Sequence, residues 1–380
     1  MNPFLLNKYK GPEYFCDREI ESKEIISALD NGRSITLFAD RRLGKTALIH
    51  HILAHLDKRK RSRPITAYID IFDTMDEFTF VKKFVGEVIT SIENKDRNIF
   101  DVARKYFSQI KPKLAFDPIT NLPEISFDIQ STQEVNLTLS TLFKYLKDQK
   151  KPIIIAIDEF QQINEYKDSR IAATLRSHIQ STPNVHYIFS GSKKHILLNM
   201  FSSPNQPFYS STQLYPLKKI EHEIYKTFIA KQFQKGNKSI TVKHIDQLLE
   251  WTYIHTYYVQ SFCSRLYELD VEVIEEEHLN QIKQQIFYSY EQIFYNYREL
   301  LTFAQWQLLK AIGIEEKLVS PTGKTFLTKY GLGSHSSVKR TLTALIEKDL
   351  VTVDIDTNEE KIYSVNDVFL RRWFQYKYRN

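Results

Sequence analysis

Ser34-Ile35-Thr36-Leu37-Phe38-Ala39, then Asp40-Arg41-Arg42-Leu43-Gly44-Lys45-Thr46, then Ala47-Leu48-Ile49-His50-His51-Ile52-Leu53-Ala54-His55-Leu56 read in order as strand, loop and helix. The first segment is a short apolar run suited to a buried strand. In the last, Leu48, Ile49, Ile52, Leu53 and Leu56 recur at helical spacing and form one apolar stripe. A Gly-Lys-Thr placed between them carries a specific chemistry. Backbone N–H groups of the loop and of the helix start point at anionic oxygens. Lys45 is placed to reach the β and γ phosphates of a nucleotide, and the Thr46 hydroxyl to ligate Mg²⁺. Ala39 stands where the pattern G-x-x-x-x-G-K-[ST] has its first glycine, a departure expected to strain or reshape the loop.

Downstream of the loop the alternation continues. Ile65–Asp70 reads as a strand and residues 77–109 as mainly helical. Two short alternating runs around Pro118-Ile119-Thr120-Asn121 suggest a surface hairpin. A helix over 132–148 leads into Ile153-Ile154-Ile155-Ala156-Ile157, an aliphatic run of the kind covered on both faces of a sheet. Val185–Ser190 is a further strand. Strands alternating with helices predict an α/β fold with a parallel sheet sandwiched by helices. Residues 219–298 read as all helix, and the last eighty or so as a separate unit of helices with the strand pair Leu350–Ile355 and Lys361–Val365.

The aliphatic strand ends in Asp158-Glu159. Two carboxylates at that position suit a metal and a water. Asp158 is expected to hold Mg²⁺, directly or through water, and Glu159 to orient and polarise the attacking water. Ser190-Gly191-Ser192, at the end of the next strand, offers a hydroxyl near the γ-phosphate or an ordinary strand-to-loop turn.

At 380 residues the chain suits two or three domains, and its 42% apolar content allows a sizeable core. No apolar run approaches the about 20 residues that a membrane span needs. The start, MNPFLLNKYKGPEYF, lacks the basic and apolar regions of a signal peptide. Only Cys16 and Cys263 occur, which excludes a disulfide framework or a multi-cysteine zinc site and suggests a reducing cytoplasm. His50, His51 and His55 share a helix without nearby acidic partners and read as solvent- or core-facing. The net charge of +6 permits contact with nucleic acid without requiring it. The basic run Lys58–Arg63 reads as a solvated helix end.

RRLGKT, IAIDEF, FSGS and the terminal YSVNDVFLRRWF, in that order, resemble the archaeal-type ATPase family, a branch of the signal-transduction (STAND) AAA+ ATPases. The resemblance covers nearly the whole chain. It starts at Phe15-Cys16-Asp17-Arg18-Glu19-Ile20-Glu21, similar to the family's F-x-x-R-E-x-E lead-in, and runs through Tyr68-Ile69-Asp70 and His255-Thr256-Tyr257-Tyr258-Val259-Gln260. It implies an AAA+-like P-loop core over 1–216, a helical lid over 217–298 and a winged helix over 299–380. It implies that Arg41, Arg42, Leu43, Gly44, Lys45, Thr46 and Ala47, following Ala39 and Asp40, wrap the phosphates of ATP. Asp158 and Glu159 take the metal and water roles, Ser190 or Ser192 a sensor role, and Phe15 and Arg18 the adenine side. Pro207-Phe208-Tyr209-Ser210-Ser211 lacks the Gly-Arg that many archaeal members carry before the lid, which leaves no arginine candidate there. GSKKHILLNMF…PFYSS is instead similar to bacterial members.

In the last unit, Ser336–Ile346 looks like the recognition helix of a helix-turn-helix, with Ser336, Ser337, Lys339 and Arg340 in its N-terminal half. Asp354, Asp356, Glu359 and Glu360 on the wing oppose a phosphate backbone, so DNA and a protein partner both stay open. Arg371-Arg372-Trp373-Phe374-Gln375-Tyr376-Lys377 reads as a stripe packing its aromatics inward or as a basic, aromatic contact for nucleic acid. The expected function is an ATP- and Mg²⁺-dependent switch in which nucleotide binding repositions the winged helix and hydrolysis through Glu159 resets it. The alternative is a nucleotide-stabilised binding or scaffold protein with negligible turnover.

Overall fold

The computed structural model describes residues 2–6, 9–93, 105–110, 112–116, 123–167, 169–356 and 358–379. They form two compact units, Lys8–Lys219 and Ile220–Asn380 with Met1–Asn7.

The first unit is built on a five-stranded sheet: β1 (Ile35–Phe38), β2 (Ile65–Asp70), β5 (Ile153–Asp158), β6 (Val185–Gly191) and β7 (Gln213–Pro216), in the order β2-β5-β6-β1-β7. All four pairings are parallel. Every residue of β5 is buried, as the uninterrupted aliphatic run requires of a strand covered on both faces. Because side chains alternate across the sheet, Ile154 and Ala156 enter one core and Ile153, Ile155 and Ile157 the other. The first core is closed by α1 (Glu19–Asp30) and by α2 (Lys45–Asp57), whose stripe of Leu48, Ile49, Ile52, Leu53 and Leu56 is buried. The second is closed by α3 (Glu77–Glu93), α4 (Thr132–Lys147), α5 (Ile171–Gln180) and α6 (Lys194–Ser202). Ser131 and Glu134 make a reciprocal capping box that starts α4 where the sequence places it.

The expected hairpin is present as the antiparallel strands β3 (Lys113–Phe116) and β4 (Pro123–Ser126); its turn, Pro118–Asn121, lies outside the described residues. Of the residues 77–109 expected to be mainly helical, 94–104 also lie outside them. In the run after α2, Arg59 pairs with Asp30 through two 2.8 Å bonds and Arg63 with Asp57 at 3.4 Å, an ordinary charged helix end.

The second unit contains α7 (His222–Lys235), α8 (Val242–Trp251), α9 (Thr256–Glu268) and α10 (Glu276–Leu300). It is not all helix: β8 (Ser239–Ile240) and β9 (Val273–Ile274) pair in parallel between the helices. Phe4 joins this unit, against Phe233 at 5.2 Å and Tyr267 at 6.0 Å. Burial of the ring decides its place.

Then come α11 (Phe303–Ile314), α12 (Lys324–Lys329), α13 (His335–Glu347), the hairpin β10 (Val351–Ile355) with β11 (Lys361–Val365), and α14 (Val368–Tyr378), the element order of a winged helix. Helix α14 packs inward on both sides. Phe369 meets Tyr258 at 4.7 Å and Trp251 at 5.7 Å, while Phe374 meets Trp306 at 5.1 Å. The guanidinium groups of Arg371 and Arg372 lie on the Tyr253 ring at 4.2 and 4.1 Å, and Arg372 donates to the carbonyls of Glu250 and Trp251 at the end of α8. Arg372 thereby places a cation at the C-terminus of α8. Within this stripe Trp373 and Phe374 pack inward, while Tyr376 stays exposed.

Candidate functional site

The strand order sets the site. β6 lies between β1 and β5, so the carboxyl ends of all three are neighbours, the edge of an open parallel sheet where ligands bind. The register puts Phe38 opposite Gly191 and Asp70 opposite Asp158.

From the end of β1 the chain turns through 39–44 into α2. Ala39 is buried and is not among the residues with left-handed backbone, so replacing the usual glycine costs no strain there. Left-handed backbone falls at Arg42 (φ 64°) and at Gly44 (φ 93°). Gly44 is the N-cap of α2 and no side chain caps that helix start, so its N–H groups point outward without a side-chain acceptor. Lys45 is 6% exposed, and its Nζ donates to the carbonyls of Ala39 and Asp40 at 3.0 Å each. Burial pushes its ammonium below the usual lysine range, opposed by the carboxylates of Asp158, Glu159 and Asp40. An uncapped helix start beside a buried cation fits a phosphate. Arg41 and Arg42 are exposed, Asp40 and Ala47 half-buried and Leu43 buried.

Asp158, at the tip of β5, is 2% exposed and accepts four hydrogen bonds. Oδ2 takes Thr46 Oγ1 at 2.6 Å and Tyr68 OH at 3.1 Å; Oδ1 takes Ser190 Oγ at 2.5 Å and the Glu159 N–H at 3.0 Å. These fix the orientation of the carboxylate. The converging oxygens of Thr46 and Asp158 are hard donors of the kind Mg²⁺ takes alongside phosphates, so the residues fit that ion.

Glu159 has left-handed backbone (φ 55°), an uncommon state for glutamate that turns its side chain off the strand end. Its Oε2 accepts from Gln161 Nε2 at 2.5 Å, Ser192 Oγ at 2.8 Å and the Ser192 N–H at 3.3 Å. Ser190 and Ser192 thus serve different carboxylates, and Gly191 separates them for a steric reason. A Cβ there would sit 1.9 Å from Gln161 Oε1, so any side chain at 191 would push the Gln161 amide from its present place beside Glu159. Neighbouring Asp70 is held above the usual carboxyl range by burial, reinforced by the charges of Asp158 and Glu159.

Tyr68 and Gln161 were not picked out by the sequence as site residues. Tyr68 is two residues from the end of the strand beside β5, and its hydroxyl pKa is raised, first by burial and then by Asp158. Gln161 follows Glu159 by two. Phe15 stacks on His51 of α2 at 4.6 Å, and Tyr9 OH bonds His51 Nδ1 at 2.9 Å. Arg18, 3% exposed, pairs through Nη1 with Glu21 at 2.6 Å, while its Nη2 is buried with no hydrogen-bond partner among the described residues. In the other unit, Ser336, Lys339 and Arg340 are exposed on α13 and Ser337 is half-buried, its N–H capped by Ser334. On the wing, Asp356 accepts from the N–H groups of Asn358 and Glu360 and pairs with Lys317 at 2.8 Å, so it shapes the turn rather than facing outward as a bare charge.

No helix among the described residues is long and apolar enough to cross a membrane. None of the curated proteins matches the chain. Among solved structures, a Walker-type ATPase of Pyrococcus abyssi is 18% identical with a TM-score of 0.66, covering 98% of this chain and 99% of that one. The ORC2 protein of Aeropyrum pernix, solved as ADPNP–ADP complexes, is 12% identical with a TM-score of 0.58, over 100% of this chain and 98% of that one. ORC1 of the same organism, solved in complex with DNA, is 12% identical with a TM-score of 0.52, over 96% and 94%. At these identities the likeness shows the fold: a P-loop ATPase sheet with a C-terminal winged helix. Residues 292–376 match a family described as "Probable winged helix domain". Residues 15–239, more than half of the 380, match the family described as "ATPase domain predominantly from Archaea", and the chain belongs to that family.

Proposed function

We propose that the chain is an ATP-hydrolysing switch whose nucleotide state sets the affinity of its winged helix for DNA. The observation that carries the proposal is the pair of separately held carboxylates at the tip of β5, beside a buried lysine and an uncapped helix start. The three-part division into core (1–216), helical lid (217–298) and winged helix (299–380) belongs to the same reading.

ATP is the substrate. Lys45 and the N–H groups at the start of α2 bind its phosphates. Thr46 and Asp158 would hold Mg²⁺, which would supply neutralisation of the phosphate charge. Ser190 and Tyr68 keep the Asp158 carboxylate in place. Glu159 acts as base through a carboxylate whose Oε2 is fixed by Gln161 and Ser192, leaving Oε1 for a water. Phe15 and Arg18 take the adenine side, with Arg18 Nη2 as the donor in want of an acceptor.

DNA is preferred as partner because Ser336, Lys339 and Arg340 are exposed on the first turns of α13 and the wing's Asp356 is internally neutralised. The similar ORC1 protein, moreover, is one solved with DNA. A switch requires different affinities in the two states. With Glu159→Gln holding ATP, affinity for a random-sequence duplex at near-physiological salt is expected to differ from that with ADP by about 5- to 150-fold, a usual size for coupling between sites. Lys339→Glu with Arg340→Glu should abolish the binding. Equal affinity in both nucleotide states contradicts the switch.

A second reading is a scaffold that holds nucleotide without turning it over. The three donors on Glu159 Oε2 favour it, since they occupy one of the base's two oxygens.

A further inference from the structure

Helices α10 and α14 each present a stripe that the phosphate site does not use. On α10, Asn280, Lys283, Gln284 and Phe287 follow the i, i+3, i+4, i+7 spacing of one face; on α14, Arg372, Gln375 and Tyr376 do the same. Together with Trp251 at the end of α8 they line a cavity of about 340 Å³. That volume lies within the range of small-molecule sites, roughly 300–1,000 Å³.

One wall is aromatic. Tyr376 is 62% exposed yet stacked on buried Phe287, with ring centroids 4.9 Å apart and planes 24° from parallel, and Trp251 lies 6.1 Å from the same phenylalanine. An exposed ring backed by a buried one offers a flat face already ordered for stacking. The opposite requirement, for anions, comes from Lys283 and Arg372. No lining residue is acidic, and the remaining polar groups are amides. Burial depresses the pKa of both cations; on Lys283 the charge of Glu276 opposes it and that of Arg372 adds to it. Arg372 is fixed by bonds to the Trp251 carbonyl at 2.7 Å, the Glu250 carbonyl at 2.8 Å and Gln375 Oε1 at 2.8 Å. Its position is therefore set, while each terminal nitrogen retains a second N–H. Lys283 Nζ spends one of its three N–H groups on Asn280 Oδ1 at 3.2 Å.

We propose that this groove is a second ligand site, for one base-plus-phosphate unit: the base stacks on Tyr376 beside Trp251, and the phosphate meets Lys283, Arg372 and the Asn280 and Gln284 amides. The unit is a nucleoside monophosphate, free or as one residue of a single strand. The site is independent of the phosphate loop, whose residues belong to the other unit.

The test is calorimetric titration of the full chain carrying Lys45→Ala, which keeps the phosphate loop from competing. The probes are UMP and a 5′-phosphorylated tetrathymidylate. One site per chain is expected for at least one probe. Adding Lys283→Glu should weaken it about tenfold or more, by loss of a charge-assisted bond. Tyr376→Ala, at an exposed position, should weaken it about tenfold through lost stacking. Binding of UMP assigns the site to free nucleotides; binding of the tetranucleotide alone assigns it to a strand. Absence of heat with both probes at millimolar concentration, or affinity unchanged in both variants, overturns the proposal.

Discussion

Glu159→Gln is expected to keep ATP binding and to lose turnover by about 100- to 10,000-fold, the contribution of a positioned base. The substitution preserves shape. Asp158 keeps its four donors, three of them from Thr46, Tyr68 and Ser190, none of which touches the Glu159 side chain. An amide oxygen can still accept from Ser192, yet it cannot take a proton from water. In free energy the loss is about 3–5 kcal/mol of barrier, with no matching loss in affinity. Single-turnover hydrolysis and equilibrium binding, measured separately, check the split. Unchanged turnover removes Glu159 from the base role, and a parallel loss of binding assigns it to holding the nucleotide.

Lys45→Ala is expected to do the reverse, lowering ATP affinity by about 10- to 100-fold, the scale of a hydrogen bond to a charged group worth about 1.5–3 kcal/mol. Fold stability should not fall with it. Burial disfavours the ammonium, so its folded pKa lies below the unfolded one. A group shifted that way costs stability at every pH where it is charged, and neutral pH lies well inside that range. Removing it relieves that cost while ending two hydrogen bonds to loop carbonyls. A thermal midpoint at or near the wild-type value, with ATP affinity lost, separates a binding defect from misfolding. Equal affinity in the variant means that the phosphates bind elsewhere.

The parts of this fold that were legible in the sequence are those where local pattern and tertiary role agree. Ile153–Asp158 has to be covered on both faces because it offers no polar alternation, and in the structure all six residues are buried. The apolar stripe of α2 behaves likewise. β7 was missed for the opposite reason. Gln213–Pro216 has little apolar character and becomes a strand only by pairing with β1, where an edge position tolerates its proline. The two-residue strands β8 and β9, parallel partners 34 positions apart at Ser239 and Val273, have no local signal at all.

At the candidate site, Lys45, Thr46, Asp158 and Glu159 could be nominated from the sequence because the chemistry expected of them fixes residue type and spacing. Their supports were less legible. Tyr68 reaches Asp158 across 90 residues of sequence, and only the β2–β5 register brings it there. Gln161 had a faint signal, since Gly191 between two serines is the kind of glycine that a close neighbour requires. The strain expected at Ala39 falls instead on Arg42, because the loop needs left-handed backbone three residues later.

The central claim is that this chain turns over ATP. The most direct test is steady-state phosphate release by the wild-type protein with Mg-ATP, with and without double-stranded DNA, beside the same reaction in a chelator. Metal-dependent release above background is the predicted result. Release at background in every condition, with ATP bound, contradicts it and leaves a nucleotide-stabilised binding protein in its place.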